Sequence, residues 1–274
     1  MSAGYGDDIG TARPTASDLT SALARGPVLG TFQVMPGPAV TETLVFAGAE
    51  VVCLDAEHAA FDMASLEHHV RAAQSVGGTV VIRVPEVGAV LSRSLDTGAA
   101  GVVVPRVETA AQARSAVAAV RFPPLGARGL GGGRAAAYGL ELADYRSRAN
   151  DSLLLVLMVE TRTGLDNVEE IAAVDGVDVI FAGPVDLASS LGVAVGSDVH
   201  EAAVRRILDA GLAAGRHVGI LCADAAEAAR YAALGARLLM VSLDAAVLAR
   251  AFSQQLRETR SALTDHPENR RSEQ

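Results

Sequence analysis

No lysine occurs in the 274 residues; all 23 basic side chains are arginine. Its absence removes every mechanism that runs through a lysine amine: Schiff-base aldol chemistry, pyridoxal phosphate enzymes, Walker A nucleotide sites and lysine-linked cofactors. Tryptophan is missing too, and 32 acidic groups outnumber the basic ones to give a net charge of −9 and a pI near 5.1. A chain so acidic lacks the electrostatic footprint of a nucleic-acid binder or of a protein held on anionic lipid, so neither nucleic acid nor membrane is an expected partner. Cys53 and Cys222 are too few for a disulfide framework, are spaced for neither zinc nor redox chemistry, and sit in apolar runs, so they read as reduced thiols. Long hydrophobic runs are lacking as well. Leu153 to Val159 is far too short to span a bilayer, and Met1 to Asp8 is polar and acidic where a signal peptide is basic and then apolar. The expectation is a soluble, cytoplasmic protein.

What is present is globular: half the residues are hydrophobic and a fifth are charged. Apolar, β-branched-rich segments recur at 28–34, 50–55, 79–84, 101–105, 153–160, 177–182, 217–222 and 237–243, and they run on without in/out alternation. Such runs mark parallel strands covered on both faces. Helical patterns lie between them at 62–76, 108–121, 198–214, 224–234 and 244–256, several opened by Asp or Glu and followed shortly by Gly. This alternation predicts an α/β fold, a single-domain (β/α)₈ TIM barrel, with an open doubly wound sheet as the other arrangement of the same elements. The expected limits are a flexible N-terminal tail over 1–20, the barrel over 21–257 and a flexible C-terminal tail over 258–274. The long stretch 122–152 stands out, with Gly126 to Arg134 rich in glycine and arginine; it matches no nucleotide fingerprint and reads as a mobile substrate loop.

A barrel of this kind carries its site at the C-terminal ends of the strands, so the polar residues that close the apolar runs are the candidates. The second run ends in Asp55-Ala-Glu57-His58, the third in Arg83, the fourth in Arg106, the fifth in Glu160 and the sixth in Gly183-Pro184-Val185-Asp186. Glu160 and Asp186 on neighbouring strands form a pair suited to a divalent ion whose remaining positions go to water and substrate oxygens, which fits Mg²⁺, Mn²⁺ or Co²⁺ better than structural zinc. The other reading pairs Glu160 with Arg162 and makes Asp186 a helix cap. His58 differs from the other five histidines in ending a strand between Asp55 and Glu57, carboxylates that would hold one tautomer and raise its basicity for proton abstraction. Arg83 must satisfy its charge at a strand end, either by a bidentate grip on a substrate carboxylate or by a salt bridge to Asp55 or Glu57. Arg106 supports the loop or bridges two elements. Asp96, in Ser94-Leu-Asp-Thr-Gly98, reads from composition as a helix-end or turn residue.

Taken together, LDAEHAAFD (54–62), VIRVP (81–85), LDTGAAGVVVPRVET (95–109), FPPLGARGLGG (122–132), MVET (158–161) and FAGPVDLASSLG (181–192) resemble the HpcH/HpaI family of metal-dependent pyruvate aldolases over about residues 20 to 256. The likeness is to 4-hydroxy-2-oxoheptanedioate and 2-dehydro-3-deoxyglucarate aldolases. The resemblance implies a (β/α)₈ barrel assembled as a homo-oligomer, a trimer or hexamer, with a C-terminal helix exchanged between subunits. It implies Mg²⁺, Mn²⁺ or Co²⁺ as cofactor and reversible cleavage of a 4-hydroxy-2-oxo acid to pyruvate and an aldehyde through an ion-stabilised pyruvate enolate. Under it Glu160 and Asp186 match the metal ligands, His58 the base, and Arg83 the residue that steadies the enolate. Asp96 matches a carboxylate that reaches in from an adjacent subunit to make the histidine more basic, which displaces its reading as a turn residue. Gly183 and Val185 match the stretch that contacts the pyruvate carboxylate, with Asp55 and Glu57 as supporting groups. The chain departs from the pattern at Met158, where many members carry Gln, and at Val185, where a smaller alanine is common; both reshape the substrate pocket. The alternatives that share the motif set are oxaloacetate-type decarboxylation, transfer of the enolate to another acceptor in a biosynthetic pathway, and a catalytically inactive barrel that serves as a binding or scaffold protein.

Overall fold

The computed structural model describes residues 19–265. Eight parallel strands close into a barrel in chain order, with β1 pairing β8 to complete it. They are β1 (Val28–Gln33), β2 (Val51–Asp55), β3 (Val80–Arg83), β4 (Gly101–Val104), β5 (Leu154–Val159), β6 (Val179–Ala182), β7 (His217–Cys222) and β8 (Leu238–Leu243). Every apolar run singled out in the sequence is a strand, and the open doubly wound sheet is not formed. The runs lack alternation because both faces are buried. On β2, Val51 and Cys53 fill the barrel interior while Val52 and Leu54 pack under the helices; on β5, Leu154, Val156 and Met158 point in and Leu155, Leu157 and Val159 point out.

The helices are α1 (Leu19–Arg25), α2 (Pro38–Phe46), α3 (Met63–Ser75), α4 (Ala89–Asp96), α5 (Ala110–Val120), α6 (Leu142–Ser152), α7 (Arg162–Asp166), α8 (Val168–Ala172), α9 (Pro184–Leu191), α10 (Asp198–Ala213), α11 (Ala225–Ala233) and α12 (Asp244–Asp265). Side-chain caps start those with a clear sequence signature: Asp62 accepts from the Ser65 amide, Thr109 and Gln112 form a capping box, and Asp224 accepts from the Glu227 amide. The sequence pattern singles out no helix over α2, α4 or α9. Each of these is opened by a glycine, at 37, 88 and 183, with no side-chain cap to announce it.

Both expected limits of the barrel segment fall inside helices. Helix α1 begins at Leu19, and Leu19 and Leu23 pack with the interior strand residues, so the chain plugs its own barrel from the N-terminal side. Helix α12 continues past residue 257 to Asp265, because no glycine or proline interrupts residues 236–266. The rest of both expected tails, 1–18 and 266–274, lies outside the described residues. Among the described residues no helix is long and apolar enough to cross a membrane.

Candidate active site

A pocket opens at the C-terminal ends of the strands, lined by Phe32 of β1, Arg83 of β3, Met158 and Glu160 at the end of β5, the turn Gly183-Pro184-Val185-Asp186 after β6, Leu221 of β7 and Leu243 of β8. A larger cleft of about 650 Å³ lies at the opposite end of the barrel, beside Thr79, Ala100 and Leu153 at the strand starts. That cleft gathers none of the paired carboxylates, so the chemistry belongs to the smaller pocket.

Glu160 is 2% exposed. Its Oε1 accepts a hydrogen bond from the Arg106 backbone amide at 2.8 Å, while its Oε2 is buried with no hydrogen-bond partner. Burial pushes the Glu160 carboxyl up to about 7, against the pull of the Arg106 amide and with Asp186 and Glu57 adding repulsion. Arg106 takes a positive φ of 50° to present that amide, so it serves the site through its backbone. Gly183 is required where it stands: a Cβ there would lie 2.4 Å from Glu160 Oε2. The pairing of Glu160 with Arg162 does not form, since the Arg162 guanidinium donates to the Leu191 carbonyl. Nor does Asp186 cap a helix; it lies in the first turn of α9, whose N-terminus has no side-chain cap.

Arg83 takes the salt-bridge option. Its Nε and Nη2 donate to Asp55 Oδ1 and Oδ2 at 2.9 and 2.6 Å, with Glu57 Oε2 3.3 Å from Nε, and its guanidinium carbon lies 5.0 Å from the centre of the Phe32 ring. Asp55 also accepts from the amides of Glu57 and His58, each at 3.2 Å, which bends the chain after β2. Burial raises the Glu57 carboxyl, opposed first by Arg83. The His58 side chain is 61% exposed, and its Nε2 lies 3.6 Å from Glu57 Oε2. Met158 is buried beside Phe181 in the strand register, and Val185 is 59% exposed at the pocket mouth.

Asp96 is not in this group. It is the last residue of α4, which runs from the site end of β3 back to the start of β4, so within one chain it sits at the far end of the barrel from His58. There Arg128 Nη2 donates to its Oδ1 at 2.7 Å. The glycine- and arginine-rich stretch 126–134 lies at the same end, between α5 and β5, and is pinned: Arg128 is 4% exposed and Arg134 donates to the Thr97 carbonyl and to Gln74. Arg128 and Arg134 thus tie this stretch at the N-terminal face of its own barrel, away from its own chain's pocket. A helix-to-strand connection reaches only the N-terminal face of its own barrel. Phe32, Leu221 and Leu243, which line the pocket, escape a census of polar strand ends because they are apolar.

A family model for HpcH/HpaI aldolase/citrate lyase matches residues 29–251. The chain belongs to that family. The hydroxypyruvate/pyruvate aldolase of Roseovarius nubinhibens is 39% identical over 249 residues, which cover 88% of this chain and 96% of that protein. The 5-keto-4-deoxy-D-glucarate aldolase of Shigella dysenteriae serotype 1 is 36% identical over 235 residues, covering 84% of this chain and 91% of its own. Among solved structures, an HpcH/HpaI aldolase/citrate lyase family protein from Burkholderia cenocepacia J2315 superposes with a TM-score of 0.82 at 39% identity, covering 88% of this chain and 99% of that one. This HpcH/HpaI family member is thus an enzyme of the lyase class with its barrel complete.

Do the residues fit a divalent ion? Glu160 offers a buried oxygen with no other partner, held by one backbone bond and repelled by Asp186, an arrangement that a cation relieves. Among the described residues no three His, Cys, Asp or Glu side chains converge as a ligand cluster. The pair would leave the remaining positions to water and substrate oxygens, as hard cations of the magnesium type accept. The site fits.

Proposed function

We propose that this protein is a divalent-metal-dependent cytoplasmic pyruvate aldolase, cleaving a 4-hydroxy-2-oxo acid to pyruvate and an aldehyde. The observation that carries the reading is the buried, unpartnered Oε2 of Glu160 facing the pocket it shares with Asp186 and Arg83. Glu160 and Asp186 would hold Mg²⁺, Mn²⁺ or Co²⁺, and the chemistry such an ion supplies is Lewis-acid stabilisation of the charge that develops on a 2-oxo acid.

The chain's own groups divide the remaining work. The first turn of α9 offers the backbone amides of Val185 and Asp186, which have no acceptor within the helix, to the substrate carboxylate. Arg83, fixed through Nε and Nη2 by Asp55, keeps Nη1 for the oxygen where enolate charge grows, so its donor is oriented before substrate arrives. His58, at the open rim, takes the proton from the C4 hydroxyl. The C3–C4 bond then breaks, its electron pair forms the enolate double bond and the aldehyde leaves; a proton delivered to C3 completes the pyruvate methyl. In synthesis His58 helps remove that methyl proton. Met158 in the floor supplies no hydrogen bond to the ligand, so orientation falls to Arg83 and the α9 amides.

The assembly is part of the proposal. The family resemblance assigns Asp96 to a neighbouring subunit's histidine, and its place at the far end of its own barrel from His58 is compatible with that reading. Helix α12 supports a homo-oligomer of trimeric or hexameric order with this helix exchanged: Val247, Leu248 and Phe252 lie on it at 50–60% exposed.

The test is pyruvate release from a panel of 4-hydroxy-2-oxo acids, with and without a chelator. Loss on chelation and recovery with Mg²⁺, Mn²⁺ or Co²⁺ is the expected result. Full activity after thorough chelation refutes metal dependence. Release of CO₂ from oxaloacetate with no aldehyde-forming cleavage moves the reaction to decarboxylation, and no turnover with intact metal binding returns the barrel to a binding role.

A further inference from the structure

His200 is buried in the first turn of α10, 1% exposed, and both of its ring nitrogens are engaged. The Gly196 backbone N–H donates to Nδ1 at 3.1 Å, so Nδ1 carries a lone pair and the neutral ring's proton is on Nε2. Nε2 lies 2.8 Å from the Pro184 carbonyl oxygen, and with this tautomer it donates to it. Glu201, whose Oε1 is 3.9 Å from Nδ1, does not compete for the ring because its carboxylate is taken by Arg230 and by the Tyr231 hydroxyl.

The carbonyl that His200 grips belongs to the peptide whose amide is Val185 N–H. Among the described residues the cis peptide bond is Pro123-Pro124, so the Pro184-Val185 unit is trans and planar. In such a unit the N–H points opposite to the C=O. Holding the Pro184 oxygen therefore constrains the direction of the Val185 N–H, at a residue that lines the pocket. No side chain caps the N-terminus of α9, while its other end is tied by Arg162 to the Leu191 carbonyl and by the Arg162 amide to Ser190. His200 is the matching tie at the substrate end.

We infer that His200 is a positioning residue that orients the Gly183–Asp186 turn, and with it the amide that receives the 2-oxo acid's carboxylate. The inference rests on the aldolase reading above. It assigns a task to a histidine that composition marks only as lying near a helix start.

Three measurements test it. The first is ¹⁵N NMR of histidine-labelled wild-type protein: the Nε2–H tautomer of His200 is expected, and its resonance should move when pyruvate is added to Mg²⁺-loaded protein. An Nδ1–H tautomer, or a resonance indifferent to pyruvate, overturns the inference even if no variant folds. The second is His200→Leu, which removes both hydrogen bonds; the KM for the 2-oxo acid should rise roughly tenfold or more, as for other residues that orient a binding group. The third is His200→Gln, whose amide can donate to Pro184; it should recover most of the lost substrate affinity. A folded His200→Leu protein with reduced Tm but unchanged KM makes His200 merely structural and refutes the proposal. Wild-type turnover, measured first, judges the aldolase reading by itself; the tautomer and the variant-to-wild-type ratios judge His200.

Discussion

Replacing Glu160 by Gln should make the chelated protein relatively more stable as the pH rises, although it destroys a functional group. The folded carboxyl is held at about 7 by burial, against an ordinary value of 4.5. Below 4.5 both folded and unfolded chains carry the proton. Above it the unfolded chain loses its proton while the folded chain keeps it, so folding becomes progressively less favourable until about pH 7 and is level beyond. Each pH interval of one is worth about 1.4 kcal/mol, which sets a ceiling of about 3 kcal/mol on the destabilisation at pH 8. Glutamine has no such titration. It retains an oxygen for the Arg106 amide but places an NH₂ where Oε2 is buried, at a pH-independent penalty of about 1–3 kcal/mol. The absolute difference at one pH is therefore small, and the informative quantity is its slope. Urea unfolding of both proteins in chelator should show the variant gaining up to about 3 kcal/mol on the wild type between pH 4.5 and pH 8. Added Mn²⁺ should then stabilise the wild type at pH 8 and leave the variant unmoved. Parallel stability curves across that range would refute the claim that Glu160 is a frustrated carboxylate awaiting a cation.

Arg83→Lys should lower kcat by roughly 100-fold in the pyruvate-release assay, because an ammonium cannot be held by Asp55 at two points and still present a fixed donor; retention of most turnover makes Arg83 purely structural. Asp96→Asn should shift the acidic limb of the pH–rate profile to lower pH, since losing the carboxylate makes a neighbouring subunit's His58 less basic. Mixed and reassembled His58→Ala and Asp96→Asn subunits should regain activity that neither has alone, and no gain in demonstrably mixed oligomers ends the shared-site proposal. Arg121→Ala, remote from the pocket, should cost about 3 kcal/mol or more in chemical denaturation. It removes donors to the Gly176, Asn150 and Leu153 carbonyls and takes the guanidinium partner from the half-buried Asp178, which keeps the Leu155 amide and whose carboxyl burial already raises. A loss of about 1 kcal/mol or less, the size that exposed ion pairs contribute, would mean that the pair is solvated.

The barrel is legible in the amino-acid order because its signal is local. A strand buried on both faces must be apolar at consecutive positions, and Leu154 to Val159 or Val51 to Leu54 can satisfy that requirement in few other folds. The polar residues that end such runs are equally readable, so Asp55, His58, Arg83, Glu160 and Asp186 stand out before any coordinates are known. Tertiary structure alone decided how they share their work. Whether Arg83 pairs with Asp55 or waits for a ligand depends on the β2–β3 register that sets Asp55 opposite Arg83. That Glu160 keeps one oxygen unpartnered depends on an Arg106 amide 54 residues away and on the missing side chain of Gly183. Short helices opened by glycine carry no cap to read, which hid α4 and with it the end of the barrel where Asp96 lies. His200 was invisible for the same reason in another form: its partners, Gly196 and Pro184, are backbone groups, and a hydrogen bond to a backbone leaves no residue type in the sequence to betray it.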